Sequence, residues 1–398
     1  MKHRKLGAGE LLRFLNERSV ELIHRKSIAA RIASGRRLRV KLGIDPTAPH
    51  LHIGHMLPIR FLRAFQDAGH RAVLIIGDFT AQIGDPSGQG ATRVQLSAAE
   101  VKRNERTYLG EVARVLDLEQ AEVRHNSEWL GILGIAKFLD LLTRFSLKSA
   151  WEREDFQERL RRGKSVRLHE AMYPVLQAYD SVAVRADIEL GGVDQRLNLL
   201  AGRELQSSLG TAAQDVVLLP YLIGLDGAGK MSKSVGNTIP TDDSAASMFG
   251  KVMSIPDMLI VPYARLAAWL PEAEIEVLKR SLETGGNPRD AKAEVAEGVA
   301  RLYHGVAAAR RAREEFSRVF SKRERTGKLS PSPVGAGAYA AFDLLMRLGV
   351  PSKAEARRLI HGRALEVDGA VVPPGHGAVT LKAGSVIRLG KKQFFRVL

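Results

Sequence analysis

Three sets of residues have types and spacings suited to chemistry. The first is His52-Ile53-Gly54-His55. Two imidazoles at the start of a helix lie beside backbone N–H groups that lack intrahelical partners, and together they can grip a triphosphate. Gly54 has no side chain, so a flat base could approach the backbone there. Alone, the same four residues also read as a helix cap or a surface pair. The second set is Lys230-Met231-Ser232-Lys233-Ser234, preceded by Asp226-Gly227-Ala228-Gly229. A glycine-rich hinge followed by two lysines and two hydroxyls can close on a leaving pyrophosphate and neutralise its growing charge. A solvated basic loop is the plainer alternative. The third set, Tyr173, Gln177 and Asp180, is spaced to share one side of a helix. These side chains could line a polar pocket, or satisfy one another on a half-buried face.

The flanking residues supply the elements that must position these sets. Leu38 to Ile44 reads as a strand. Leu57, Phe61, Leu62 and Phe65 recur at helical spacing up to a stop at Gly69, and Val73 to Ile76 is an apolar run suited to a buried parallel strand. Strand, helix and strand form a right-handed crossover, with ligands expected where strands end and helices begin. Glu10 to Ala33 is expected as one helix ended by Gly35. Ser97 to Leu116 is another, with Ser97 and Glu100 spaced as a capping box. A strand is expected near Val123, helices through Phe145 and Phe156, and a helix over Tyr173 to Tyr179. Ile188 to Leu190 reads as a strand running into Gly191-Gly192, Asp194 to Leu209 as a helix, and Val216 to Ile223 as a strand. This alternation predicts an α/β fold with a Rossmann-like parallel sheet. From Ser244 to Phe320 the pattern becomes all-helical. Ser321 to Gly337 is basic, then rich in Pro, Gly and Ser, and reads as an interdomain linker. The expected division is thus 1–243, 244–320, a linker at 321–337, and a small α+β module at 338–398.

A chain of 398 residues has room for two or three domains. It has no cysteine, which excludes disulfides and thiolate metal sites and suits a reducing compartment. The first residues lack the apolar run of a secretory signal, and no stretch approaches bilayer-spanning length, so a cytoplasmic protein without a membrane partner is expected. Lys and Arg number 60 against 44 Asp and Glu, a net charge of +16. An Arg-rich, soluble composition and a polyanionic partner such as nucleic acid both account for it.

Together and in this order, His52-Ile53-Gly54-His55 and Lys230-Met231-Ser232-Lys233-Ser234 resemble the paired signature of class I aminoacyl-tRNA synthetases. The stretch between them is similar to the tyrosyl-tRNA synthetases. The similarity is carried by Gly43, Asp45-Pro46-Thr47, Leu51 to His55, Ile83 to Ser87, the Tyr173, Gln177, Asp180 helix, and Gly191 to Gln195. It extends over essentially the whole chain. The resemblance implies that His52, His55, Lys230 and Lys233 act on the phosphates. It implies that Gly43, Asp45, Thr47, Gly54, Gly192, Asp194 and Lys233 bind ATP. Asp180 is then the acceptor for a phenolic hydroxyl, Asp85, Tyr173 and Gln177 hold an α-ammonium, and Gln195 lies near the substrate carboxyl. A buried acceptor left unpaired by phenylalanine rejects it strongly, which is the established discrimination of tyrosyl synthetases and comes with the resemblance. The implied reaction is tyrosine activation by ATP and transfer to tRNA, in a homodimer. Magnesium would arrive with ATP, and no metal is held by the protein itself.

Lys41 departs from the pattern, since many family members have a tyrosine there that helps hold the phenol; the second partner of the phenol is therefore open. Pro58 falls in the expected first turn of its helix, where proline is tolerated. Pro351 to Gly369 reads as a basic helix and a hairpin turning at Asp368-Gly369. This segment resembles the small RNA-binding domain named after a ribosomal small-subunit protein. Residues 341–398 hold ten Lys or Arg against four Asp or Glu, and Lys353, Arg357, Arg358 and Arg363 are the expected phosphate contacts. Other readings are a tryptophanyl-tRNA synthetase of the same fold, a catalytically inactive RNA-binding relative, and a nucleotidyltransferase acting without tRNA. The Tyr173, Gln177, Asp180 helix, the intact signatures and the basic C-terminal module speak against them in turn.

Overall fold

In the computed structural model, residues 5–398 are described except 88–94, 147, 149–152, 234, 327–328, 363, 369, 376–377 and 391–392. The chain forms two compact units, Met1–Arg313 and Glu314–Leu398.

The first unit opens with α1 (Ala8–Arg18), β1 (Glu21–Ile23) and α2 (Arg25–Ala33), followed by β2 (Arg39–Ile44), α3 (Ile53–Asp67) and β3 (Arg71–Ile76). Short α4 (Thr80–Ile83), α5 (Ala98–Val112), β4 (Glu122–His125), α6 (Ser127–Leu130), α7 (Ile135–Leu142) and α8 (Glu154–Arg161) come next. Then follow α9 (Leu168–Ala183), β5 (Ile188–Gly192), α10 (Arg196–Ser208) and β6 (Asp215–Leu219). The strand order is β1-β6-β5-β2-β3-β4, parallel except for β1, which pairs antiparallel with β6. The connections reverse direction between β2 and β5, which is where a doubly wound sheet opens a crevice at its carboxyl ends.

Alternate residues of the central strands face opposite layers. Val40, Leu42, Leu74, Ile76, Ile188, Leu190, Val217 and Leu219 join Leu11, Leu15, Ile28, Phe61, Leu62 and Phe65 in one core. Burying a side chain of this size stabilises by roughly 1.5–3 kcal/mol, so this layer is the rigid floor on which the cleft stands.

The stretch expected as one helix over Glu10 to Ala33 is two helices separated by β1. A three-residue edge strand is too short to show an alternating pattern, and its pairing with β6 rests on main-chain bonds. Pro58 lies in the second turn of α3, not the first. Its missing N–H leaves the Gly54 carbonyl without its intrahelical donor, and both residues face the cleft.

Beyond β6 the chain is helical: α11 (Ala245–Met253), α12 (Ile260–Leu266), α13 (Glu272–Glu283) and α14 (Pro288–Thr326), the last broken where Gly305 takes φ 79°. The second unit holds β7 (Leu329–Pro331), β8 (Gly337–Tyr339), α15 (Ala341–Arg347), α16 (Lys353–His361), β9 (Leu365–Val367), β10 (Ala370–Val371), β11 (Val379–Leu381), β12 (Val386–Leu389) and β13 (Gln393–Arg396). Its sheet order is β10-β9-β12-β13-β7, with β8 and β11 forming a separate pair. The stretch expected as an interdomain linker, 321–337, carries the end of α14, the first residue of β8 and all of β7. The strand gains its place by backbone pairing with β13, which leaves no apolar period in the sequence.

Candidate active site

All fifteen candidate residues of the first unit line one cleft of about 550 Å³: Gly43, Asp45, Thr47, His52, Gly54, His55, Asp85, Tyr173, Gln177, Asp180, Gly192, Asp194, Gln195, Lys230 and Lys233. They come from the carboxyl ends of β2 and β5 and the residues just beyond them, the start of α3, the segment after α4, the inner face of α9 and the loop after β6.

At one end, His52 caps α3 and His55 sits one turn in. Their rings stack with centroids 3.7 Å apart, and His55 Nδ1 accepts from the His52 main-chain N–H at 3.3 Å. His52 is buried, and its pKa is pushed down to about 4 by that burial and then by the charges of Lys233 and Lys230. It is therefore neutral near pH 7. Its buried Nδ1 has no partner among the described residues. A Cβ at Gly54 would lie 3.0 Å from that nitrogen, so the glycine makes room for the imidazole as well as for a ligand.

The two signatures are joined through the backbone. His52 forms a bridge with Pro240, and Ile53 N–H donates to the Ile239 carbonyl at 3.0 Å. Within the loop, Lys230 bridges Ile223, Met231 is buried, and Asn237 ties the turn by accepting from Ser232 N–H at 2.8 Å and donating to Asp226 at 3.0 Å. Lys230 pairs with Asp194 at 2.7 Å, and Lys233 donates to the His50 carbonyl. Ser234 lies outside the described residues.

The other end is drier. Tyr173, Gln177 and Asp180 share the inner face of α9, which runs well beyond the expected Tyr173–Tyr179. Tyr173 Oη donates to Asp45 Oδ2 at 2.8 Å, and Thr80 Oγ1 donates to Asp45 Oδ1 at 2.8 Å. Asp45, expected on the nucleotide, is thus turned toward the Tyr173 side of the cleft. Gly77 permits this, since a Cβ there would sit 1.9 Å from Asp45 Oδ1. Gln195 donates to Asp85 at 2.7 Å, and Asn198 donates to Gln177 and Gln195 at 3.1 and 3.0 Å. Asp180 is buried and accepts from Trp129 Nε1 at 2.8 Å and Asn126 Nδ2 at 3.4 Å. Burial raises its pKa to about 6, against the opposing effects of Lys41 and these donors.

Sequence reasoning missed Asn126, Trp129, Thr80 and Asn198, which orient the candidate side chains. They lie in no recognisable motif, and only the fold brings them near. Lys41 does not reach the cleft; it is fully buried behind it, paired with Glu189 at 2.8 Å. The described residues place no three His, Asp or Glu side chains for a metal ion.

In the second unit, Ala356 is buried and Leu359 and Ile360 pack on the core, while Lys353, Arg357 and Arg358 point outward from α16. Arg358 pairs with Glu355 at 2.6 Å. Arg363 and Gly369 lie outside the described residues. Phe395 packs against the core. No helix among the described residues is long and apolar enough to cross a membrane.

The family described as tRNA synthetases class I (W and Y) matches residues 33–321. A tyrosine–tRNA ligase of Moorella thermoacetica is 40% identical over 392 residues, covering 97% of this chain and 95% of its own. One of Thermotoga maritima is 41% identical over 390 residues, covering 98% and 97%. Among solved structures, the tyrosyl-tRNA synthetase of Archaeoglobus fulgidus complexed with L-tyrosine superposes with a TM-score of 0.64 at 24% identity, covering 77% of this chain and 100% of its own, which speaks to the fold alone.

Proposed function

The chain belongs to the class I tRNA synthetases for tryptophan and tyrosine, and on that premise we propose that it is a tyrosine–tRNA ligase of the bacterial type. The observation that carries the choice of amino acid is Asp180. A buried carboxylate, steered into the cleft by Trp129 and Asn126, is an acceptor suited to a phenolic O–H, a donor that a phenyl ring lacks. The choice over an indole, whose N–H is also a donor, is supported by the tyrosine–tRNA ligases 40 and 41% identical to this chain. Asp85, Tyr173 and Gln177 form the seat of the α-ammonium, and the bond from Tyr173 supports a place for Asp45 beside that seat as well as toward the nucleotide. Gln195 lies by the substrate carboxyl. Gly43, Thr47, Gly54, Gly192 and Asp194 border the nucleotide.

Magnesium–ATP is the second substrate. The tyrosine carboxylate attacks the α-phosphorus; a P–O bond forms, the bond to the β-phosphate bridge breaks, and pyrophosphate leaves. A ribose hydroxyl of the 3′-terminal adenosine of tRNA then attacks the activated carbonyl and AMP departs. No protein side chain forms a covalent intermediate. Residues His52, His55, Lys230 and Lys233 act by position and charge on the phosphates. For this, Lys230 exchanges Asp194, and Lys233 the His50 carbonyl, for phosphate oxygens, while the neutral His52 ring contributes a hydrogen bond without a charge.

Residues 1–243 hold tyrosine and ATP, 244–320 face the anticodon side of tRNA, and 338–398 bind RNA through Lys353, Arg357, Arg358 and Arg363. A cytoplasmic homodimer is the working form. Ile132, Ile135 and Leu139, exposed by 84, 78 and 55% at and before α7, support a subunit contact there. Sedimentation at micromolar concentration tests it, a monomer being the contrary result.

The deciding experiment is amino-acid-dependent exchange of labelled pyrophosphate into ATP with tyrosine, phenylalanine and tryptophan, without tRNA. Exchange with tyrosine alone is expected. Exchange with tryptophan would overturn the pocket assignment, and silence with all three would favour an RNA-binding protein without catalysis.

A further inference from the structure

Behind the cleft lies a polar network that no step of the reaction uses. Lys41 of β2 stands opposite Glu189 of β5 in parallel register, and both side chains are buried. The Lys41 ammonium has three protons and three acceptors: the Gln177 carbonyl at 3.0 Å, Ser181 Oγ at 2.8 Å and Glu189 Oε1 at 2.8 Å. No proton remains for a substrate. Glu189 accepts in turn from Ser181 Oγ at 2.9 Å, from Gln177 Nε2 at 3.4 Å and from Gln214. Gly202 of α10 leaves the space for this cluster, since a Cβ there would lie 2.7 Å from Gln214 Nε2 and 2.9 Å from Ser181 Oγ.

A buried ion pair gains little net stability over an apolar pair of the same volume. Its partners indicate another use: Gln177 and Ser181 belong to the turn of α9 that presents Gln177 and Asp180 to the cleft. Resting on the reading of that cleft as a tyrosine site, we propose that Lys41 and Glu189 are positioning residues for amino-acid selection. Touching no substrate atom, the pair fixes this turn of α9, and its two opposite charges set the field at the Asp180 carboxylate.

The surroundings of Asp180 make the field readable. Among the described residues, the charged or titratable groups acting on it are Lys41 from β2, Glu189 from β5 and Tyr173 on its own helix, with Asp45 linked to it through Thr80 and Asn126. Asn126 and Trp129 beside it are neutral, as is Thr80 of α4, which accepts from Asn126 Nδ2 at 2.9 Å. Lys41 opposes the rise of the Asp180 pKa caused by burial, whereas Glu189 adds to it. Removing either partner must therefore move the titration in opposite directions.

The test compares the pH dependence of kcat/KM for tyrosine in pyrophosphate exchange for the unaltered protein, K41M and E189Q. In K41M the acid limb shifts up by about one pH unit, and in E189Q down by a similar amount. The preference for tyrosine over phenylalanine falls about tenfold in K41M, while KM for ATP stays within about twofold. Limbs that stay put, or move the same way in both variants, overturn the proposal. If K41M does not fold, the nearly isosteric E189Q decides alone: a downward shift supports the pair, an unmoved limb overturns it. Silence of the unaltered protein with tyrosine instead overturns the parent reading, and the proposal falls with it.

Discussion

At and just behind the inner end of the cleft, Asp180, Lys41 and Glu189 are each less than 5% exposed and held by partners from β2, β5, α6 and α9. At the outer end, the Lys230 side chain is 57% exposed and pairs with Asp194, while a buried nitrogen of His52 has no partner among the described residues. The first arrangement is finished before a ligand arrives. The second holds bonds that a ligand must exchange. Discrimination between two rings of similar shape needs the former, because an unmade bond costs most where water cannot replace it. Stabilising charge that appears only as pyrophosphate departs needs the latter.

The contrast can be broken from either side. The largest effect is expected for Asp180→Asn, which should lower kcat/KM for tyrosine by about 100-fold or more and leave phenylalanine nearly unaffected. Equal losses for both amino acids would show that the inner end does not select. Next, Lys230→Ala and Lys233→Ala should each lower kcat by about 100-fold with KM for tyrosine nearly unchanged. A rise in KM for tyrosine of comparable size would place these lysines in ground-state binding. Tyr173→Phe, which removes the bond to Asp45, should raise KM for tyrosine about tenfold and leave KM for ATP alone, by steady-state exchange assays.

The two ends also separate by pH. Asp180 is the stronger acceptor when ionised, and its raised pKa near 6 means that kcat/KM for tyrosine falls as pH drops through 6. His52, with its pKa near 4, stays neutral over that interval, so kcat at saturating tyrosine should change less. The smallest effect sets the background: Ser97→Ala removes the N-cap of α5, should cost about 1 kcal/mol by denaturant titration, and should leave both ends working.

The outer end was the more legible in the sequence. Its histidines, glycines and lysines sit in two contiguous runs whose chemistry can be recognised from residue type alone. The inner end is assembled from single residues on β2, β5, α6 and α9, more than a hundred positions apart in places. Lys41 shows the limit well. A lysine in a strand suggests a surface charge or a ligand, and nothing in its neighbours reveals that Glu189 lies beside it until the strand order is known. Asp45 is similar, since its direction depends on the absence of a side chain at Gly77. For the scaffold, long periodic helices and apolar strands were readable. The edge strand β1 and β7 were not, because both are held by main-chain pairing that leaves no trace in side-chain pattern.

The bridge between His52 and Pro240 has a consequence for how the lysines find their target. The loop that carries them leaves β6 at Leu219 and is fastened again to the histidine turn about twenty residues later. A tether of that length, anchored at both ends beside the phosphate position, keeps a cation at a local concentration on the order of millimolar. On the proposed reading of these lysines, each can bind pyrophosphate weakly and still be present when the bond breaks. Weak individual grip is also what lets the product go.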